Sequence, residues 1–237
     1  MDIKSERMIS VCLATYNGSH FIKRQLESVL PQLSSEDEII ISDDSSVDDT
    51  IDIIKTFNDN RIKIFTGNNF RNPALNFGFA MEQAKGDIVF LCDQDDIWFD
   101  TKIKDHLEVH EKYDLVISDA IVVDPELQII YPSFFSARNS KSGILHNLLK
   151  NRYIGCCMSF NRKTLGHALP FPDGLHMHDW WIGLVAELKG EVYFLNKPLM
   201  YYIRHSNNAS GTLTVTLPLK DQIKNRMHLI YNLIKLK

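Results

Sequence analysis

Short apolar runs and amphipathic segments alternate through the first half of this 237-residue chain. The runs have the length and composition of buried strands, and the segments between them have apolar residues at helical spacing. The predicted strands are residues 8–14, 38–42, 61–66, 87–92 and 115–118, and the predicted helices are residues 21–33, 51–57, 73–85 and 101–113. This alternation predicts an α/β fold with a mainly parallel central sheet covered by helices.

The pattern is less regular after residue 120. Pro125, Pro132 and the polar stretch 136–143 predict a loop, which could cover a bound substrate or be a plain surface loop. Further on, the sequence predicts strands at 152–160, 191–195 and 199–203, a helix over 175–188, and a last amphipathic helix that begins at Pro218.

Polar side chains follow three of the predicted strands at the point where each strand ends. They are residues 15–17, 43–44 and 93–96, and in a parallel sheet they would meet at one edge. Asp93, Asp95 and Asp96 are too crowded to ionise there unless a cation or several hydrogen-bond donors neutralise them. Mg²⁺ or Mn²⁺ would suit these oxygen ligands, whereas a solvated acidic loop is the alternative.

The composition of the chain limits the kinds of binding partner and the cellular location that we expect for the protein. The apolar content of 44%, the charged content of 24% and the net charge of −4 are ordinary for a soluble protein and give no reason to expect nucleic acid as a partner. No phosphate loop or Gly-x-Gly-x-x-Gly is present in the sequence, so a metal would have to hold any phosphates. The charged start and the absence of a long apolar run predict a cytoplasmic protein, whose four cysteines are reduced core thiols.

Six segments together resemble the family-2 glycosyltransferases of the GT-A fold, a Rossmann-like fold. Within this family they resemble the bacterial, often rhamnosyl-type, enzymes that build capsule and O-antigen polysaccharides. The segments are VCLATYNG (11–18), ISDDSSVDDT (41–50), LCDQDDIW (91–98), GCCMSFNRK (155–163), HDWW (178–181) and the histidine region 204–208.

The resemblance implies a role for particular residues. The nucleotide-sugar donor would be bound by Ala14, Thr15, Tyr16, Asn17, Asp44, Asp93, Gln94 and Gly155. The metal ion, Mn²⁺ or Mg²⁺, would be bound by Asp95, Asp93 and His205. The catalytic base would be Asp179. Within the donor set, Ala14 and Tyr16 would bracket the base and Asp44 would accept a hydrogen bond from it. The donor would be a UDP- or dTDP-sugar and the acceptor a saccharide or lipid-linked saccharide.

The same resemblance implies a domain organisation. The sequence also departs from the family pattern at two positions. Residues 1–213 would form the GT-A domain, with a nucleotide-sugar-binding half (1–120) and an acceptor-binding, catalytic half (121–213), followed by a C-terminal amphipathic helix (214–237). Arg71 stands near the place where the family has a glycine. Ile203 stands where an arginine usually precedes the histidine by two positions, and Arg204 lies next to it.

Plainer interpretations remain open for the residues after 175. Asp179 could be a simple helix N-cap, and His205 a buried, hydrogen-bonded histidine. Trp180 and Trp181 could offer a stacking surface for an acceptor sugar. His176 and His178 with Asp179 could hold zinc, although the spacing is not that of the usual helical motif.

Two broader questions also have alternatives. The last helix could lie on an anionic membrane surface, or it could pack on the domain or on a second subunit. The leading hypothesis for the whole chain is a metal-dependent inverting glycosyltransferase. A nucleotidyltransferase and a non-catalytic nucleotide- or carbohydrate-binding module are the rivals, and the missing Gly-rich, basic loop after the first strand disfavours the former.

Overall fold

The computed structural model describes residues 7–205, 208 and 218–236. Its first half has the predicted alternation of strands and helices. The strands are β1 (Ile9–Thr15), β2 (Glu38–Asp43), β3 (Ile62–Phe65) and β4 (Ile88–Cys92), and the helices are α1 (Ile22–Val29), α2 (Thr50–Thr56) and α3 (Pro73–Gln83). These strands pair in parallel in the order β3-β2-β1-β4. Every residue of β2 and β4 is buried, which explains their continuous apolar runs.

The second half extends the same sheet. It contains β5 (Ile97–Trp98), α4 (Lys102–Val109), β6 (Leu115–Val123), β7 (Ile129–Tyr131), α5 (Phe134–Arg138), α6 (Ile144–Leu149), β8 (Met158–Asn161), α7 (Arg162–Ala168), α8 (His178–Lys189), β9 (Val192–Ile203) and α9 (Leu219–Lys235). The sheet continues from β4 as β8-β6-β9-β5, with β7 beside β6. Strand β8 runs antiparallel to both neighbours, and β9 runs parallel to β6. The expectation of a mainly parallel α/β fold is confirmed.

Three local expectations were wrong in this half. The segment 136–143 is not one loop, because α5 extends to Arg138 and α6 begins at Ile144. A 3₁₀ turn, Gly155–Cys157, precedes β8 where a longer strand was expected. The two predicted strands before residue 204 are the single strand β9, whose register against β6 shifts near Asp119 and so absorbs the proline between them.

Strand β9 joins the two halves of the molecule. Its last residues pair with β5, with Tyr201 opposite Ile97 and Met200 opposite Trp98. Because β5 directly follows the acidic loop 93–96, this pairing brings that loop to the residues beyond the end of β9.

The last helix begins where the sequence predicted it. Leu229 and Leu233 of α9 are buried against the domain. Within the part of the chain that the structure describes, no helix has the length and apolar character needed to cross a bilayer. The expected domain boundary at residues 213 and 214 lies outside the described residues. All four cysteines are buried and free of disulfides.

Candidate active site

Two loops at the carboxyl edge of the sheet are held together by hydrogen bonds. Thr15 Oγ1 donates to Asp43 Oδ1 (2.8 Å), and Asn17 N–H donates to Ser46 Oγ (2.9 Å). Asn17 adopts a left-handed backbone with φ of 47°, which asparagine tolerates better than most residues. The loop after β1 is therefore fixed, with Ala14 partly exposed and the Tyr16 side chain exposed at its rim.

Gln94 connects the loop after β1 to the acidic loop. Its Oε1 accepts from Tyr16 N–H (3.0 Å), and its Nε2 donates to the Tyr16 carbonyl (3.1 Å). A Cβ on Gly18 would lie 2.2 Å from Gln94 Oε1, so the glycine is needed for this contact. The Gln94 amide thus positions the Tyr16 backbone, a role that the sequence did not suggest.

Asp44 is buried at the end of β2. Its N–H donates to the Thr15 carbonyl (2.9 Å), and its Oδ1 accepts from Phe70 N–H (2.6 Å). Arg71, the next residue, has φ of 49°, the left-handed conformation that glycine adopts most readily. The left-handed backbone at position 71 explains why the family has a glycine near this place, and Arg71 adopts the same conformation here.

Asp95 and His205 come together although they are far apart in the sequence. Asp95 Oδ2 lies 2.8 Å from His205 Nε2 and accepts from Asn208 Nδ2 (3.1 Å). The His205 ring stacks on Phe21 with ring centroids 4.5 Å apart, so its orientation is fixed. A carboxylate oxygen and an imidazole nitrogen at this separation are suitable ligands for one divalent ion.

A second group of possible ligands lies beside this pair. Ligand atoms of Asp93, Asp96 and Cys156 all lie within 4.8 Å of one another. Asp96 Oδ1 accepts from Ile203 N–H (3.1 Å), but its buried Oδ2 has no hydrogen-bond partner among the described residues. Burial and the neighbouring carboxylates raise the pKa of Asp93 to about 7 and that of Asp96 well above its usual range. The excess of carboxylate oxygens, one of them unpaired, fits a bound Mn²⁺ or Mg²⁺.

Asp179 lies in the first turn of α8. Its Oδ1 accepts from Trp180 N–H (2.7 Å) and from Asn151 Nδ2 (3.2 Å). The side chain is only 8% exposed, and burial raises its pKa to about 6. A carboxyl group with this pKa is ionised at neutral pH yet remains a competent proton acceptor.

The turn at Gly155 links Asp179 to the acidic loop. A Cβ on Gly155 would lie 3.4 Å from Asp179 Cβ and 3.0 Å from His178 Nε2, whereas the adjacent Cys156 belongs to the acidic ligand group. The charge of Asp179 also contributes to the raised pKa of Asp93. The candidate base and the candidate metal ligands therefore share one site.

Basic residues surround the other side of Asp179. Arg138 Nη2 donates to the Asn151 carbonyl (2.9 Å), and Arg152 Nη1 donates to the Arg138 carbonyl. Burial and the charge of Arg152 lower the pKa of Arg138, and Arg138 in turn favours the ionised form of Asp179. Sequence analysis missed Arg138 and Asn151, because neither belongs to a recognisable motif.

One expectation about this region is corrected, and one alternative that the sequence already disfavoured gains no support. Trp180 Nε1 donates to the Asn147 carbonyl and Trp181 Nε1 to the Ala168 carbonyl, and both rings are buried in the core. They offer no open face to an acceptor sugar. His178 stacks on Phe77, and among the described residues the only three-ligand cluster is the one that contains Cys156, so the structure forms no zinc site around His176.

Replacing Gly155 with alanine should slow catalysis without unfolding the protein. The added methyl group lies 3.0 Å from His178 Nε2, so the side chains beside Asp179 must shift by a few tenths of an ångström. Small displacements of catalytic groups are costly, and we expect kcat to fall by roughly tenfold. The control is Gly166→Ala in α7, where a Cβ meets nothing within 4 Å. Equal kcat values for the two variants would contradict this role of Gly155.

With this geometry established, comparison with known proteins identifies the family. The model of glycosyl transferase family 2 matches residues 10–167, which is more than half of the chain. The chain belongs to glycosyl transferase family 2. It is therefore an enzyme of the glycosyltransferase class, and neither rival functional class is needed. Asp179 and His205 lie beyond the residues that the family model matches.

Two curated relatives of this family-2 glycosyltransferase are bacterial proteins. The dTDP-rhamnosyl transferase RfbG of Shigella flexneri is 27% identical over 84% of this chain and 73% of its own length. The UDP-Glc:alpha-D-GlcNAc-diphosphoundecaprenol beta-1,3-glucosyltransferase WfgD of Escherichia coli is 28% identical over 75% of this chain and 68% of its own length.

Solved structures share the fold of this glycosyltransferase. The S. aureus protein TarS (residues 1–349), in complex with UDP-GlcNAc, has a TM-score of 0.73 and 21% identity and covers 96% of this chain. The chain spans 66% of the length of that TarS chain. Glucosyl-3-phosphoglycerate synthase of Mycobacterium tuberculosis, in complex with Mn²⁺, UDP and glucosyl-3-phosphoglycerate, has a TM-score of 0.59 and 19% identity, over 98% of this chain and 81% of its own.

Proposed function

We propose that this enzyme is a metal-dependent inverting glycosyltransferase of bacterial surface polysaccharide biosynthesis, of the capsule or O-antigen type, acting in the cytoplasm. It would transfer a sugar from a UDP- or dTDP-sugar to an acceptor hydroxyl. The observation that carries this proposal is a series of contacts that connects the Asp44 loop, the acidic loop 93–96 and Asp179. The carboxyl edge of the sheet is where α/β sheets bind nucleotides.

The donor would bind across the loops that follow β1, β2 and β4. Tyr16 provides an exposed aromatic ring for the base, and Ala14, Thr15 and Asn17 shape the backbone beside it. Asp44 provides a carboxylate for a base N–H, since only its Oδ1 is used by Phe70. Asp93 and Gly155 would face the ribose and the sugar, and Gln94 would keep the base-binding loop in place.

A divalent ion would be held by Asp95 and His205, with Asp93 beside them. When bound, the ion supplies positive charge to the leaving nucleoside diphosphate as a Lewis acid. Mn²⁺ accepts both oxygen and imidazole ligands, whereas Mg²⁺ prefers oxygen alone, so the presence of His205 favours Mn²⁺.

Asp179 would act as the general base. Its carboxylate would take the proton from the acceptor hydroxyl as that oxygen attacks the anomeric carbon from the face opposite the leaving group, which inverts the configuration. Asn151 and the Trp180 N–H orient the carboxylate through Oδ1. The acceptor would be a saccharide or, as the name of WfgD states for that enzyme, a lipid-linked saccharide.

A thermal-shift panel tests the donor site. UDP-, dTDP- and GDP-sugars are added with and without Mn²⁺, and we expect a UDP- or dTDP-sugar to raise the melting temperature only with the metal. A ligand at 100 times its Kd stabilises the native state by about 2.7 kcal/mol, which corresponds to a shift of several degrees. Asp44→Ala should abolish the shift, whereas Asp49→Ala, at an exposed position, should retain it. A full panel without any metal-dependent shift would refute the donor assignment.

A further inference from the structure

Helix α9 has two apolar faces, and only one of them packs on the domain. Leu229 and Leu233 are buried. Five other apolar residues are 40–70% exposed, and we call them the outer stripe: Leu219, Ile223, Met227, Ile230 and Ile234. Their spacing of three and four residues places them along one side of the helix. A continuous exposed apolar row of this length differs from scattered surface residues and indicates a contact surface.

Helix α6 brings more exposed apolar side chains to the same region. Leu145 and Leu149 of α6 are 74% and 69% exposed. Arg226 of α9 donates from Nε to the Leu149 carbonyl (2.9 Å), which ties the end of α6 to α9. Leu149 therefore lies next to α9, and Leu145 lies one turn back along α6.

Basic residues lie along one flank of the outer stripe. Lys220, Lys224 and Lys235 each directly follow a stripe residue, which places all three about 100° around the helix on the same side. The segment from Leu219 to the end carries five basic residues and one acidic residue, a net charge of 5 − 1 = +4, so the rest of the chain carries −4 − 4 = −8. The positive charge of the molecule is therefore concentrated beside its exposed apolar row.

This charge pattern indicates what binds to the outer stripe. An antiparallel two-fold contact between two copies of the chain through the outer stripe would bring like-charged lysine rows close together. An anionic lipid surface instead accepts apolar side chains and attracts the lysines. The same surface repels the acidic remainder of the molecule, which would orient the protein with α9 against the lipid.

We propose that the outer stripe of α9, with Leu145 and Leu149, docks on an anionic lipid bilayer. Helix α9 sits against the start of α8, where Met177 and Trp180 line a small cavity together with Asn225 and His228 of α9. Asp179 lies between Met177 and Trp180 in the sequence, so the candidate base belongs to the part of α8 against which α9 packs. The inference that the bilayer presents a lipid-linked acceptor to this site rests on the proposed function, whereas the proposal of lipid binding does not.

Sedimentation with lipid vesicles tests the proposal on the full chain. The vesicles are phosphatidylcholine alone or phosphatidylcholine mixed with phosphatidylglycerol, at low and high salt. We expect binding to the anionic vesicles that weakens as salt increases. Ile223→Glu with Met227→Glu should lower the affinity at least tenfold, and replacing Lys220 and Lys224 with alanine should lower it by roughly fivefold per lysine.

The matched control is Ile129→Glu with Ile130→Glu in β7, where two apolar residues are also exposed. This control should bind vesicles like the wild type. Equal binding by the stripe variant and the control, or no binding by the wild type, would overturn the proposal. Wild-type dimers in sedimentation velocity that the stripe variant does not form would also overturn it, because the stripe would then be a subunit contact. A donor-induced thermal shift is independent of all these outcomes and reports separately on the proposed function.

Discussion

Asp179→Asn should lower the rate of sugar transfer by roughly 10²- to 10⁴-fold, the usual contribution of a general base. The amide keeps the size of the carboxyl group and an oxygen that accepts from Asn151 and Trp180 N–H, but it cannot take a proton. The donor should still bind with its metal-dependent thermal shift. In the wild type, kcat should rise with pH through about 6, because the Asp179 pKa is raised to about 6 and the base must be ionised.

The same substitution should stabilise the fold at neutral pH. Burial raises the Asp179 pKa from 3.8 to about 6, so the folded state holds this proton more tightly than the unfolded state does. The stabilisation from that proton is fully present below pH 3.8 and is lost as the pH rises through about 6. At pH 7.5 the ionised carboxylate costs on the order of 1–3 kcal/mol, and asparagine removes this cost.

The stability effect is measured as the melting temperature of the ligand-free protein at pH 5 and pH 7.5. We expect Asp179→Asn to melt several degrees above the wild type at the higher pH and closer to it at the lower pH. Asp173→Asn, at an exposed position a few residues earlier, should change neither transfer nor stability. A fully active Asp179→Asn variant would exclude Asp179 as the base.

Asp95→Asn should remove metal-dependent activity. The substitution replaces the carboxylate that faces His205 Nε2 with a neutral amide, and the loss of a Lewis acid is worth several kcal/mol, or roughly 10³-fold in kcat. The remaining activity should no longer respond to Mn²⁺, and the donor-induced thermal shift should become the same with and without the metal. The measurement is the initial rate as a function of Mn²⁺ concentration.

Asp100→Asn is the matched control for Asp95→Asn. It lies on the next connection, between β5 and α4, and is exposed, so the dependence of the variant on Mn²⁺ should match that of the wild type. If Asp95→Asn retained the wild-type response to Mn²⁺, the ion would have to bind elsewhere, and the group of Asp93, Asp96 and Cys156 would be the next candidate.

The first half of the fold was predictable because three of its four strands are buried on both faces. Strands β1, β2 and β4 therefore appear as mainly apolar runs without the spacing of an amphipathic helix. The antiparallel position of β8 between β4 and β6 was not predictable, because the hydrophobic pattern of a strand does not indicate which strands lie beside it or in which direction they run. The short helices α5 and α6 depend on distant contacts such as Asn147 Nδ2 to Glu187 Oε1.

The site was predictable in part. The rim position of the three polar loops follows from topology, but the pairing of Asp95 with His205 came only from the resemblance to a family. The error at Trp180 and Trp181 was avoidable, because α8 is apolar on nearly every side, which is the pattern of a buried helix. Arg138, at the end of α5, and Asn151, in the loop after α6, approach Asp179 through tertiary packing that no local pattern encodes.

The pairing of β5 with β9 also has a consequence for how the protein is made. Asp95 and His205 are 110 positions apart, so a nascent chain must extend past residue 205 outside the ribosome before the two can meet. The β1–β4 unit, by contrast, has all its strands within the first hundred residues and can assemble earlier during translation. The Asp95–His205 pair would therefore form after the β1–β4 unit has assembled, and a polypeptide truncated before β9 would keep the acidic loop but lack His205.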